Sequence, residues 1–315
     1  MIRVGIVNID TSHPLAFTNI LMEENRARVC AVYNDGFRGD DEVSAFIDKF
    51  GLEKRCGTVE ELAEMVDVGF VQGCNWDTHL DYVEAFFNRG KPVFIDKPLV
   101  GNISDCHRLL EYVKGGAVVL GSSSLRYADE ICSFMAQPVD DRGEIINVFG
   151  TCGMDEFNYA IHVVEAIGGF LGTGAESVTF TGSGVVAGNR CETYTVSYAN
   201  GVTATYHTVQ GLWLPCHFLV TTTTGVHYVP VDANNVYKAL LDRIVDYMET
   251  KENRLADAGA LVESVKVLLA ARISRENGGG AVALDDIPMS DPGYNGLAFY
   301  KGYAANAKKI YLMEG

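Results

Sequence analysis

The chain has no basic excess, no long apolar run, no paired cysteines and few prolines, and each shortage removes a class of function. Its 25 lysines and arginines stand against 41 aspartates and glutamates, a formal charge of −16. A surface of that sign repels phosphate backbones and anionic lipid, so neither nucleic acid nor a membrane surface is expected as a partner. No apolar stretch approaches the ~18 residues needed to span a bilayer. The N-terminus enters a strand-like segment directly, without the basic and apolar regions of a secretory signal. The eight cysteines (30, 56, 74, 106, 132, 152, 191 and 216) are scattered, with no C-x-x-C pair. That spacing suits neither a zinc site nor a disulfide framework and fits reduced thiols, so a cytoplasmic location is expected. His13, His79 and His162 lie far apart without a metal-ligand spacing, and no metal is expected. What is present is ordinary for a folded chain: 48% hydrophobic residues and 315 residues in all, enough for one large or two ordinary domains. No internal repeat or low-complexity linker interrupts it.

Glycine is missing from one informative place. In "GIVNIDTSHP", residues 5 to 14, a short apolar run gives way to a turn and a helix signal, the opening of a dinucleotide-binding domain. Such a turn normally carries G-x-G-x-x-G, so that backbone amides can close on a pyrophosphate at the helix N-terminus. Here the three slots hold Asn8, Asp10 and His13. Thr11-Ser12-His13-Pro14 reads as a helix start, with a hydroxyl cap and a proline in the first turn. Two arrangements follow for Asp10. It can cap the helix and fill the anion site, or turn outward and leave Thr11, Ser12 and the amides for the phosphates.

The two halves differ in period. Up to about residue 122, short Val- and Ile-rich strands (3–9, 29–33, 68–72, 92–95, 117–120) alternate with helices. Those helices are Asp41–Phe50, Val59–Met65 behind a Thr58/Glu61 capping box, His79–Asn88, and one that Ser104 caps and Gly115-Gly116 ends. Apolar strands without alternation, separated by helices, predict a doubly wound parallel sheet. After a composition shift near 122–127 the strands alternate apolar with small polar residues. Residues 192–198 and 203–209 flank Asn200-Gly201 as one hairpin, and 217–223 with 226–231 form another. These predict an open antiparallel sheet, preceded by a helix at Phe157–Ile167 and followed by helices at Asn235–Thr250, Asp257–Glu276 and Leu297–Ile310. The expected division is 1–122 and 123–315.

Two motifs carry chemistry. Asp96-Lys97-Pro98 follows a buried strand at its C-terminal end, where open parallel sheets bind ligands. The stretch "VQGCNWDTHLDYVEAFFNRGKPVFIDKPLV" (71–100) resembles the Gfo/Idh/MocA oxidoreductase family, named for glucose-fructose oxidoreductase, inositol dehydrogenase and a rhizopine catabolism protein. Asn75, His79, Gly90-Lys91, Val93 and Lys97-Pro98 match that pattern, and Asp96 stands where glutamate is usual. In "GMDEFNYAIHVVEAIGGFLG" (153–172), Asp155, Asn158, His162 and Glu165 form one helical stripe. There the family's D-x-G-x-H-x-x-D-like motif puts Asn158 at the first Asp, His162 at the histidine and Glu165 at the last Asp.

The resemblance implies a Rossmann-like domain followed by a substrate-binding and oligomerising α+β domain. It implies hydride transfer between a nicotinamide cofactor and a secondary alcohol of a sugar, cyclitol or related polyol. Lys97, His162 and Asn158 are its implied catalytic residues, with Lys97 on the reacting oxygen and His162 moving its proton. Asn8, Asp10, Thr11, Ser12, Asn34, Asp35, Cys74, Asn75, His79, Asp96, Lys97 and Arg126 are its implied cofactor residues. Asp35, after the second strand, leans towards NAD over NADP, whose extra phosphate it would repel unless Arg38 compensates. A homodimer or homotetramer is expected. A fold relative without cofactor, acting as a binding or regulatory protein, is the alternative.

Overall fold

The structure, a computed structural model, describes residues 1–307. Its first sheet is built from β1 (Ile2–Val7), β2 (Ala27–Tyr33), β3 (Lys54–Arg55), β4 (Val68–Val71), β5 (Val93–Asp96) and β6 (Val119–Ser122). The interleaved helices are α1 (His13–Glu24), α2 (Asp40–Phe50), α3 (Val59–Met65), α4 (His79–Phe87) and α5 (Ile103–Lys114). Strand order is β3-β2-β1-β4-β5-β6 and every neighbouring pair is parallel. β4, β5 and β6 are buried at every position, which is why they read as unbroken apolar runs. The order reverses between β1 and β4, and their C-terminal ends open a crevice there.

Helix ends obey the expected chemistry with local changes of residue. Thr58 accepts from the Glu61 amide, but the Glu61 carboxylate returns to Gly57 N rather than to Thr58, one residue beyond the usual box. Asn102, not Ser104, caps α5 by accepting from Asp105 N at 2.8 Å. Ser12 occupies the α1 cap without a side-chain bond; Thr11 Oγ1 takes the His13 amide instead.

The rest of the chain supplies α6 (Asp129–Met135), α7 (Val139–Arg142), β7 (Ile145–Met154), α8 (Ala160–Leu171), β8 (Ala175–Val186), β9 (Asn189–Tyr198) and β10 (Thr203–Gln210). Then come β11 (His217–Thr222), β12 (Val226–Pro230), α9 (Val236–Thr250), α10 (Ala258–Glu276), β13 (Val282–Ala283) and α11 (Gly296–Asn306). The second sheet runs β12-β11-β7-β10-β9-β8-β13. Both expected hairpins form, β9–β10 and β11–β12. The sheet is not wholly antiparallel: β10 pairs parallel with β7. Helix α8 carries the chain away from β7, and the β8–β9–β10 meander then brings it back alongside in the same direction. Hairpin signals report only sequence neighbours, so this long-range pair left no local mark.

One face of this sheet (Val148, Tyr194, Val196, Ala204, Tyr206, Phe218) is buried under α8 and α10. The other face leaves Leu219 and Tyr228 exposed. Helix α8 starts three residues later than expected. Helix α11 is described as far as Asn306, so the expected end at Ile310 lies outside the described residues. Chain after 122 also completes the first unit: Leu240, Leu241 and Ile244 of α9 share one core with Phe17 and Leu21 of α1.

Candidate active site

Three loops from the first sheet and the head of α8 converge on one cleft. Lys97 directly follows β5 and is joined to Pro98 by a cis peptide, and its Nζ donates to Asn158 O at 3.2 Å and Asn158 Oδ1 at 3.1 Å. The ammonium lies 5.2 Å from the centre of the Tyr159 ring. Burial pushes the Lys97 pKa down, and the charges of Asp96 and Asp155 partly offset that. His162, on the first turn of α8, holds Ser123 Oγ at 2.7 Å through Nδ1. Burial, then the nearby charges of Lys97 and His13, lowers its pKa well below the usual range, so the ring is neutral at pH 7. Lys97, His162, Tyr159, His13, Trp213 and Tyr237 line a cavity of about 190 Å³. A second, narrower part, bordered by Ser12, Gly73, Cys74, Asp96, Phe299 and Tyr303, continues from it through His13 and Lys97.

Lys97, Asn158 and His162 therefore come together, as the motif spacing implies. The expected polar stripe does not. Asp155 and Asn158 precede the helix, and Asp155 Oδ1 accepts the amides of Phe157 and Tyr159 to shape the turn. Glu165 is buried and accepts from Arg126 Nε at 2.5 Å and Ser122 Oγ at 3.2 Å. Arg126 is held there, with a further bond to Ser264, and does not reach the cleft. Its place in the cofactor set is thus corrected to a buried ion pair between the two sheets, of the kind whose breaking costs roughly 3–5 kcal/mol.

His79 is also withdrawn. Its ring is 1% exposed, with Nε2 on Gly73 O at 2.8 Å and Nδ1 on Leu99 O at 3.1 Å, and it ties the β4 loop to the segment after Lys97. Asn75 caps the short turn at Trp76–Thr78.

The glycine-free turn is rebuilt from side chains. Asn8 stands in the first slot with φ of 66°, a left-handed conformation that asparagine tolerates better than most. Its Oδ1 accepts the amides of Asp35 and Gly36. Asp10, in the second slot, neither caps α1 nor turns outward. Its carboxylate crosses to the neighbouring loops, Oδ1 accepting from Phe37 N at 3.2 Å and Oδ2 from Cys74 N at 3.1 Å. A Cβ on Gly36 would stand 2.0 Å from Asp10 Oδ1, so Gly36 is obligatory beside it. Burial raises the Asp10 pKa against these hydrogen bonds. Arg38 is buried and engaged with Asp10 O and Glu42, so it does not reach out towards a second phosphate as considered above.

A dinucleotide fits this crevice at three points and meets the protein's own side chains at a fourth. The Thr11 and Ser12 amides at the head of α1 have no hydrogen-bond partner among the described residues, and Asp10 is turned away from them. The polar cluster around Lys97 opens beside them. Asp35 is exposed at the end of β2, although its carboxylate already accepts from Tyr33 and Tyr82. Asn34 is used up: its Oδ1 accepts from Ile9 N and its Nδ2 donates to Arg38 O. Cys74 contributes its amide to Asp10 and lies on the wall.

Several cleft residues left no sequence motif. Ser123 holds His162, Tyr237 comes from α9, and Phe299 and Tyr303 come from α11, which packs Tyr300 and Tyr303 against Phe37. Trp213, 61% exposed, sits in a Gly- and Pro-bounded loop between β10 and β11, the one local signal that marks it. Among the described residues no three His, Cys, Asp or Glu side chains gather to hold a metal, and no helix is long and apolar enough to cross a membrane.

Residues 2–123 match the model of an oxidoreductase family with an NAD-binding Rossmann fold. An inositol 2-dehydrogenase of Gluconacetobacter diazotrophicus is 42% identical over 57 residues, 18% of this chain and 17% of that protein. A myo-inositol 2-dehydrogenase of Thermotoga maritima is 26% identical over 140 residues, 44% of this chain and 41% of that protein. The matched stretches thus span less than half of either relative. The solved myo-inositol dehydrogenase of Lactobacillus casei, in complex with NAD(H) and myo-inositol, superposes with a TM-score of 0.75 at 16% identity, over 90% of this chain and 96% of that one. That likeness carries the two-sheet fold through the second half.

Proposed function

We propose that this chain is a Gfo/Idh/MocA-type oxidoreductase that oxidises a secondary alcohol of a cyclitol, sugar or related polyol with NAD, a reading supported by the match of residues 2–123 to that family's NAD-binding domain. The juxtaposition of Lys97, Asn158 and His162 at a cavity beside the α1 N-terminus supports this reading most directly. Bound at the crevice, the nicotinamide supplies the hydride acceptor. The amides of Thr11 and Ser12 would hold the pyrophosphate, and Asp35 the adenosine ribose. With Asp35 acidic and Arg38 engaged elsewhere, NAD is preferred to NADP. Lys97 donates a hydrogen bond to the reacting oxygen and stabilises charge developing there. His162 stands in place of the family's proton-transferring imidazole. Asn158 stands in place of the carboxylate, so the ring is kept without the charge that would stabilise its protonated form.

The test is absorbance at 340 nm with NAD and myo-inositol or a panel of polyols. The wild type is expected to reduce NAD. Lys97→Ala is expected to lower kcat at least 10³-fold while NAD affinity, by calorimetry, stays within a few fold. NAD binding without oxidation of any polyol would leave a binding protein, the alternative reading.

Self-association through the uncovered sheet face is part of the same proposal. Leu219, Tyr228 and Val226 are exposed there on neighbouring strands, an apolar area that a second copy would bury. Light scattering at micromolar concentration is expected to give a dimer or tetramer, and Leu219→Glu to weaken it; a monomeric wild type would refute the assignment.

A further inference from the structure

The third glycine slot of the turn holds a side chain that the proposed reaction has not yet used. His13 opens α1, stacks on Phe17 with ring centres 5.4 Å apart, and meets the edge of Tyr237 at 5.2 Å. Its Nδ1 lies 2.6 Å from Asp96 Oδ2, while Asp96 Oδ1 accepts the Lys97 amide at 2.8 Å. Nε2 has no hydrogen-bond partner among the described residues, and the ring borders both parts of the cleft. We propose that His13 is a second catalytic residue, positioned by Asp96, and that the proton of the substrate hydroxyl passes to His13 Nε2 rather than to His162.

This inference rests on the polyol-oxidation reading and assigns its proton. In that step the carbinol C–H bond breaks with its electron pair, which goes as hydride to C4 of the nicotinamide. The O–H proton goes to His13 Nε2, and the C–O bond becomes a carbonyl. The products are a ketone, reduced cofactor and an imidazolium beside a carboxylate.

The two imidazoles of the cleft differ in what holds them. The partner of His162 is a hydroxyl, Ser123, and the ammonium of Lys97 that faces it is cationic. A hydroxyl orients a ring without stabilising its charge. The partner of His13 is a carboxylate. A carboxylate on one ring nitrogen fixes the tautomer so that the other nitrogen is the base, and it stabilises the imidazolium that forms. The groups facing His13 are Asp96 from β5, Lys97 after it, His162 and Tyr159 at α8, and Tyr237 on α9. Among the described residues, Asp96 is the one carboxylate in direct contact with the ring. The residue that departs from the family's glutamate and the residue that replaces the third glycine are therefore partners, while Asn158 marks where the usual carboxylate is gone.

The pair is tested without turnover and with it. Long-range proton–nitrogen correlation spectra of the wild type at pH 7.5 are expected to place the His13 proton on Nδ1 and leave Nε2 bare; a proton on Nε2 overturns the proposal. In kinetics with NAD and the oxidised polyol, His13→Gln is expected to lower kcat by about 10²–10⁴-fold with NAD affinity within a few fold. Asp96→Asn is expected to lower it too, and the double variant to be no slower than His13→Gln alone, because the two act as one unit. A kcat for His13→Gln within threefold of wild type, or losses that multiply in the double variant, would assign the pair a structural role and leave polyol oxidation standing. A wild type that oxidises no polyol removes the reaction itself and this proposal with it.

Discussion

Two corners of the crevice are equally polar and do opposite work. Around Lys97, His13 and His162 the polar atoms keep unused valences facing a cavity: a bare Nε2 on His13 and an ammonium resting on a neutral amide. Around Asn8, Asp10 and Arg38, a few residues away, every polar group named is spent on backbone or on another side chain. The first corner is built to meet a ligand and the second to replace the glycines of an ordinary turn. Burial does not separate them, because Asp10 is 1% exposed and would look like a functional carboxylate by that measure. What separates them is where the hydrogen bonds go, since a buried polar group with all its partners inside the protein has nothing left to offer a substrate.

The difference can be broken by substitution, and the largest expected stability effect is at Asp10. Asp10→Ala strips the acceptor from the amides of Phe37 and Cys74 together. Leaving one buried and one partly buried N–H group unpaired costs about 2–6 kcal/mol in all, read as a lower urea midpoint. The same change is expected to alter NAD affinity only as far as the loops loosen. A variant as stable as wild type with a tenfold tighter NAD complex would instead place Asp10 against the phosphates.

A smaller effect sharpens the contrast at His79, the histidine expected among the cofactor residues. Burial lowers its folded pKa below the usual histidine value, with the two carbonyl contacts opposing. The unfolded chain therefore takes up a proton near pH 6.5 that the folded chain refuses. This contribution to stability is fully present above about pH 6.5 and is lost as pH falls below it, by at most about 1.4 kcal/mol per pH unit. Denaturation curves at pH 7.5, 6.5 and 5.5 are expected to show that loss in the wild type and a shallower one in His79→Gln. Unchanged pH dependence in the variant would mean that His79 is not held neutral.

The sequence alone determined the alternation of strands and helices in the first half, the two hairpins of the second, and two separate motifs, one around Lys97 and one around Asn158 and His162. Those features rest on local periodicity, turn chemistry and motif spacing, all written within some thirty residues of chain. It also pointed to the rebuilt turn, because three missing glycines are visible without a structure. Only the tertiary structure decided what the replacements do. Asn8, Asp10 and His13 find their partners at 35–37, 74 and 96, on loops brought together by the strand order β2-β1-β4-β5. The parallel β7–β10 pair, the withdrawal of Arg126 to Glu165 and the arrival of Tyr237, Phe299 and Tyr303 at the cleft have the same origin. A side chain's type fixes which bonds it can make, but which of them it makes depends on neighbours that packing, not sequence distance, supplies.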